Sequence, residues 1–118
     1  MRVLLADDEP KVRSALRLIL EQLKQVDAID EAIDAESLAE HLQTQKPDLL
    51  LLDWELPGLR PGATFDELRR SYAPIKVVLL SGRYQTPQMA LASGADAFIS
   101  KCEPPDRLFD TLRSLGAD

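Results

Sequence analysis

Two continuous apolar runs, Leu49-Leu50-Leu51-Leu52 and Val77-Val78-Leu79-Leu80, constrain this chain more than any other feature. A strand with four consecutive apolar side chains has to be covered on both faces, as parallel strands flanked by helices are. Other strand-length runs alternate with helical patterns. Val3-Leu4-Leu5-Ala6 reads as a first strand, after which Val12, Ala15, Leu16, Ile19, Leu20 and Leu23 fall at offsets 0, 3, 4, 7, 8 and 11, one face of an amphipathic helix. Val26 to Ile33 mixes apolar residues with acids and suits an edge strand. Asp34 predicts the N-cap of a short helix carrying Leu38, Ala39 and Leu42, stopped before Pro47. Thr64 to Tyr72 predicts a helix with Phe65 and Leu68 inward. Thr86-Pro87 places an N-cap before a first-turn proline, and Gly94 suits the far end of that fourth helix. Ala97-Phe98-Ile99 is a last strand, and Leu108, Phe109, Leu112 and Leu115 make a closing helix that Gly116 can end.

Five strands and five helices in strict alternation predict an α/β domain, a parallel sheet with helices on both faces, because right-handed crossovers place them there. At 118 residues the chain has room for one domain, 1–118. Its net charge of −6 argues against direct binding of nucleic acid or an anionic membrane surface, which need a basic face. One cysteine excludes an internal disulfide and a cysteine-based zinc cage. No apolar stretch approaches the roughly 18 residues of a membrane span, and the start runs into apolar residues without the basic region or cleavage site of a secretory leader, so no leader is expected. A cytoplasmic domain is the expectation.

Ligands of open α/β sheets bind beyond the carboxyl ends of the strands. Here the first strand runs into Asp7-Asp8, the third into Asp53, the fourth into Ser81 and the fifth into Lys101. Three carboxylates on one rim repel, so a proton or a cation must relieve them. A hard divalent cation with oxygen ligands fits, Mg²⁺ first, with Mn²⁺ as the substitute. A carboxylate beside such an ion can attack phosphorus and form an aspartyl phosphate. Asp53, alone at the end of the most apolar strand, is the nucleophile by position. Asp7 and Asp8 then hold metal, directly or through water, while Ser81 and Lys101 hold phosphoryl oxygens.

Leu5-Ala6-Asp7-Asp8-Glu9-Pro10, Pro47-Asp48 through Asp53-Trp54 with Leu56-Pro57-Gly58, Leu80-Ser81-Gly82, and Ser93-Gly94-Ala95-Asp96-Ala97-Phe98-Ile99-Ser100-Lys101 together resemble the receiver domain of two-component response regulators. The likeness covers essentially the whole chain. It implies a flavodoxin-like, doubly wound sheet of order 2-1-3-4-5, the order of a chemotaxis member of that family. It implies that Asp53 is phosphorylated, with metal held by Asp8, Asp53, the Glu55 backbone carbonyl and, through water, Asp7. Ser81 and Lys101 match the residues that receive the phosphoryl oxygens, and Phe98 the switch aromatic. Arg83 and Tyr84, after the signalling serine, are expected to tune access or output. The implied donor is a sensor histidine kinase or a histidine phosphotransfer protein. The implied output face spans the fourth helix, fifth strand and fifth helix, where a homodimer can form. Receivers of this style are often joined to a C-terminal DNA-binding effector domain, so the chain is either a stand-alone regulator or the receiver of a longer one.

Two departures stand out. The family usually has proline after the lysine; here Cys102 follows Lys101, where a cis bond would cost about 2.5–4 kcal/mol, leaving the lysine's aim open. Leu59-Arg60-Pro61-Gly62 also reads as a longer loop before the third helix. The Cys102 departure supports one rival, a pseudo-receiver that acts as an unphosphorylated interaction module. A turnover phosphatase is disfavoured, since Asp53-Trp54-Glu55 lacks the second aspartate that haloacid dehalogenase-like enzymes use. His41 and the pair Arg69-Arg70 read as solvated helix faces, and Trp54 as partly buried packing.

Overall fold

The structure, a computed structural model, describes residues 1–72, 74–82, 94–101 and 103–116. Its elements are β1 Arg2–Ala6, α1 Pro10–Leu20, β2 Ala28–Ala32, α2 Ala35–Gln45, β3 Leu49–Asp53, α3 Pro61–Ser71, β4 Lys76–Ser81, β5 Ala97–Ser100 and α4 Pro105–Ser114. The helix expected after Thr86-Pro87 lies outside the described residues, so α4 is the expected closing helix.

All the strands pair in parallel, in the order β2-β1-β3-β4-β5. The apolar runs explain the order. Every residue of β3 is buried, as are Val3–Ala6 of β1 and Val77–Ser81 of β4, so these three occupy the centre. The acid-bearing β2 takes an edge. Side chains alternate across the sheet. Leu4, Leu50, Leu52 and Leu79 face Leu38 and Leu42 of α2 and Phe65 and Leu68 of α3. Val3, Leu5, Leu51 and Leu80 face Leu20 of α1 and Leu108 and Leu112 of α4. Truncating one of these buried leucines to alanine costs about 2–5 kcal/mol.

The caps explain most boundaries. Asp34 Oδ1 accepts the Ser37 N–H at 2.8 Å and Ser37 Oγ accepts the Asp34 N–H at 3.2 Å, a reciprocal cap on α2. That helix ends on Lys46, in the left-handed region at φ 47°, just before Pro47. α1 ends at Leu20, short of the full stripe; Leu23 is buried from the turn that follows, and Ala15 is exposed. α3 begins at Pro61, three residues ahead of expectation, with Arg60 as its N-cap. Proline's preset φ suits a first helical turn, so Pro61-Gly62 are helix and not extra loop.

Two polar residues also differ in part from expectation. Arg69 is exposed as expected but is also tied across to other elements: Nη1 donates to the Ile75 carbonyl at 2.7 Å, and Nη2 to the Gly94 carbonyl at 2.6 Å and Asp96 Oδ2 at 3.1 Å. Arg70 does stay exposed, pairing with Glu67 at 2.8 Å. His41 is half-buried, and its Nδ1 is shielded with no hydrogen-bond partner among the described residues.

Candidate functional site

Parallel pairing puts the trailing ends of all five strands on one rim. Asp7 follows β1, and its N–H extends the ladder to the Ala32 carbonyl at 3.0 Å. Asp53 ends β3 opposite Leu80, and the next N–H, that of Trp54, donates to the Leu80 carbonyl at 2.9 Å. Ser81 ends β4 opposite Ser100 of β5, and its carbonyl accepts the Lys101 N–H at 2.8 Å.

Asp7, Asp53 and Ser81 are buried, whereas Asp8 is exposed. One carboxylate oxygen from each of Asp7, Asp8 and Asp53 lies within 4.8 Å of the others. Lys101 Nζ reaches into this group, 2.7 Å from Asp7 Oδ2, 3.3 Å from Asp53 Oδ2 and 3.3 Å from Glu9 Oε1. Its side chain is 14% exposed and enters the rim although no proline follows it in the sequence.

The carboxylates are unevenly satisfied. Asp7 Oδ1 accepts the Glu9 N–H at 2.9 Å and Asp53 Oδ1 the Glu55 N–H at 3.0 Å. Asp7 Oδ2 is buried, and what reaches it from the described residues is the Lys101 ammonium at 2.7 Å. Burial pushes the Asp53 carboxyl up, and Asp7 adds to this; the Glu55 N–H and Lys101 pull it down, and the balance lies above the ordinary carboxylate value. Burial alone would lower the Lys101 ammonium, but Asp7 and then Asp53 outweigh it and hold it above its usual value. Converging carboxylates that share a single ammonium are what a hard, oxygen-seeking divalent cation completes.

The flanking loop is shaped around Asp53. Trp54 is half-buried against the core, Leu56 is buried, and the Pro57 carbonyl accepts the Ala35 N–H at 2.9 Å. Gly58 turns the chain at φ +81° with Ala35 Cβ 3.3 Å from where its own Cβ would stand, so a side chain there is strained. Phe98, opposite Leu79, is half-buried against the α2–α3 core. Arg83, Tyr84 and Cys102 lie outside the described residues.

The model of the response regulator receiver domain matches residues 3–113. The chain belongs to that family. Among curated relatives, the response regulator UvrY of Escherichia coli K12 is 30% identical over 117 residues, covering 98% of this chain and 54% of that protein. The nitrate/nitrite response regulator NarL of the same strain is 29% identical with the same coverage. The receiver thus spans about half the length of the curated relatives it matches. In fold it superposes on the signal receiver domain of a DNA-binding response regulator from Colwellia psychrerythraea 34H with TM-score 0.87, at 22% identity and over 98% and 97% of the two chains. It also superposes on RcsB of Salmonella enterica serovar Typhimurium, solved on promoter rprA with phosphomimetic BeF3⁻, with TM-score 0.85 at 23% identity over 98% and 67%. No helix among the receiver's described residues is long and apolar enough to cross a membrane.

Glu9, which the sequence offers equally as a widening of the acidic pocket or as a first-turn acid, stands as a third carboxylate on Lys101. One feature of the rim was missed in the sequence. Arg13 donates from Nη1 to the Asp7 carbonyl at 2.8 Å, and the only trace of it in the sequence is an arginine pair, Arg13 and Arg17, on the face turned toward β2.

Proposed function

We propose that this receiver accepts a phosphoryl group on Asp53 and passes the event to a partner- or dimer-binding surface. The observation that carries the reading is the convergence of three carboxylates and one partly buried ammonium where three strands end. Asp8, Asp53 and the Glu55 carbonyl would hold Mg²⁺ or Mn²⁺, with Asp7 through water. Such an ion neutralises the carboxylates and the charge gathering on the transferring phosphoryl oxygens.

The residues divide the remaining work. The ionised Asp53 carboxylate attacks phosphorus as the bond to the donor's histidine nitrogen breaks; that nitrogen keeps the electron pair, and an acyl phosphate stands on Asp53. Lys101, now shared among carboxylates, moves its charge onto a phosphoryl oxygen, and the Ser81 hydroxyl donates to another. Movement of Ser81 leaves room for Phe98 to turn inward, biasing a two-state face. Arg83, Tyr84 and the segment after them would tune access and carry the output face.

A sensor histidine kinase or phosphotransfer protein is the donor, and small acyl phosphates can replace it. A C-terminal DNA-binding effector under control of this domain, in the cytoplasm, is the fitting context, transcription being the output. The protein assists its own phosphorylation and dephosphorylation but does not turn over substrates as an enzyme. The alternative of an unphosphorylated interaction module rested on Cys102, yet Lys101 reaches to 3.3 Å from Asp53 regardless.

Intact mass after incubation with acetyl phosphate tests the reading. One phosphoryl adduct is expected, dependent on both Mg²⁺ and Asp53 and lost in Asp53→Ala. Persistent absence of the adduct under rapid quench would transfer the assignment to the interaction module.

A further inference from the structure

Where Asp7 and Asp8 point decides what the rim can hold, and the backbone there is tied from an unexpected side. The Asp7 N–H donates to the Ala32 carbonyl, its Oδ1 accepts the Glu9 N–H, and its carbonyl accepts Arg13 Nη1 at 2.8 Å. Only Oδ2 is left for the rim. Arg13 is itself held: Nε donates to Glu31 Oε1 at 2.8 Å, and its side chain is 16% exposed. Glu31 on the edge strand is gripped from its other oxygen by Arg17, at 2.9 Å through Nη2 and 3.1 Å through Nε. Arg17 spends its remaining reach on the Ile29 carbonyl, at 3.2 Å, and not on Asp7.

We infer that Arg13 is a positioning residue for the cation-binding carboxylates, fixing the peptide between Asp7 and Asp8 from behind. The Asp7 carbonyl and the Asp8 N–H lie in one rigid plane, so a guanidinium holding that carbonyl sets the exit direction of both acids. The planar fork matters, because one set of nitrogens must serve Glu31 and another the carbonyl at the same time. Glu31 is the arm that holds the fork. The inference rests on the rim being a divalent-cation site.

The test is an MgCl₂ titration followed through the amide NMR shifts of Asp8 and Trp54, with thermal melts of each variant. The parent should saturate, and Asp8→Asn should abolish saturation. Arg13→Ala should weaken affinity about tenfold, the usual size of a lost supporting contact behind a ligand. Arg17→Ala cuts the same Glu31 cluster without touching Asp7; it should lose melting temperature yet keep its affinity within about twofold. Arg13→Lys, whose single ammonium cannot fork, should fall between parent and alanine variant, and it decides the matter if Arg13→Ala does not fold. Unchanged affinity in the Arg13 variants, or equal weakening in Arg17→Ala, would overturn the positioning role while leaving the cation site standing. A parent that does not saturate, or an Asp8→Asn that does, would instead remove the cation site and the inference with it.

Discussion

Aspartates stand at both ends of this sheet and are treated in opposite ways. At the leading ends each is consumed by donors. Asp48 Oδ2 accepts the Arg2 N–H at 2.7 Å, and Asp96 Oδ2 accepts the Val77 N–H at 2.7 Å and Arg69 Nη2 at 3.1 Å. At the trailing ends Asp7 and Asp53 crowd each other and Asp8 and share one ammonium between them. One residue type therefore does two jobs, set by the density of donors around it. The leading end is finished by the chain itself, whereas the trailing end keeps more carboxylate charge than its one ammonium can balance. The proposed function would need that asymmetry, because a fully satisfied rim would have no affinity left for a cation or a phosphoryl group.

The sharpest way to break this comparison is to substitute one aspartate from each end. Asp96→Ala removes two charge-assisted bonds and strands the Val77 N–H, while Arg69 keeps the Ile75 and Gly94 carbonyls, so it should destabilise by about 2 kcal/mol in urea unfolding. Its Mg²⁺ affinity should not change. Asp53→Asn should move the other way in metal-free buffer, gaining roughly 0.5–2 kcal/mol, the range found when a site kept for function is relieved. Both variants losing stability alike would mean that the two ends are not energetically different.

Magnesium should reverse the order. Asp53 has its carboxyl raised above the ordinary 3.8, so its favourable contribution is full below that value and is lost as pH rises through the raised one. Near neutrality the ionised carboxylate is a cost to the metal-free fold, and a cation removes it. At ten times its dissociation constant Mg²⁺ should stabilise the parent by roughly 1.4 kcal/mol. That gain should fade as pH falls through the raised Asp53 value and should be small in Asp53→Asn. Thermal melts across a pH series with and without MgCl₂ decide it; a gain indifferent to pH or to Asp53 would place the ion elsewhere.

How much of this was legible in the sequence depended on the kind of signal. Leu49–Leu52 and Val77–Leu80 announced central parallel strands because burial on both faces leaves a run with no polar break. Asp7, Asp8, Asp53, Ser81 and Lys101 were legible because each stands at the carboxyl end of such a run, and parallel pairing must gather those ends on one rim. The start of α3 was missed because Pro61-Gly62 carries the letters of a turn, while proline in a first helical turn is equally at home there. The ties of Arg13 and Arg69 were missed for a different reason. Their partners include the carbonyls of Asp7, Ile75 and Gly94, and a backbone carbonyl leaves no mark in a sequence. An arginine on a helix is read as solvated until the fold brings a distant carbonyl to it.

The smallest expected effect sharpens the comparison at a third place, the β2 edge. Burial by itself would raise the Glu31 carboxyl, but the bonds from Arg17 and then Arg13 outweigh it and hold it below the ordinary 4.5. Its sign is therefore opposite to that of Asp53: the contribution is present above 4.5 and is lost as pH falls through the lowered value. Glu31→Gln should cost roughly 1 kcal/mol or less at neutral pH, since the pair is partly exposed, and less again in high salt. Parent and variant should converge in acid. Plotted as parent minus variant in metal-free buffer, stability should fall for Glu31 as acid is added and rise for Asp53. Two carboxylates of one domain would then tilt in opposite directions over the acid limb. Parallel tilts would mean that the donors around Glu31 and the crowding around Asp53 do not set the sign, which is the premise on which the two ends of the sheet were distinguished.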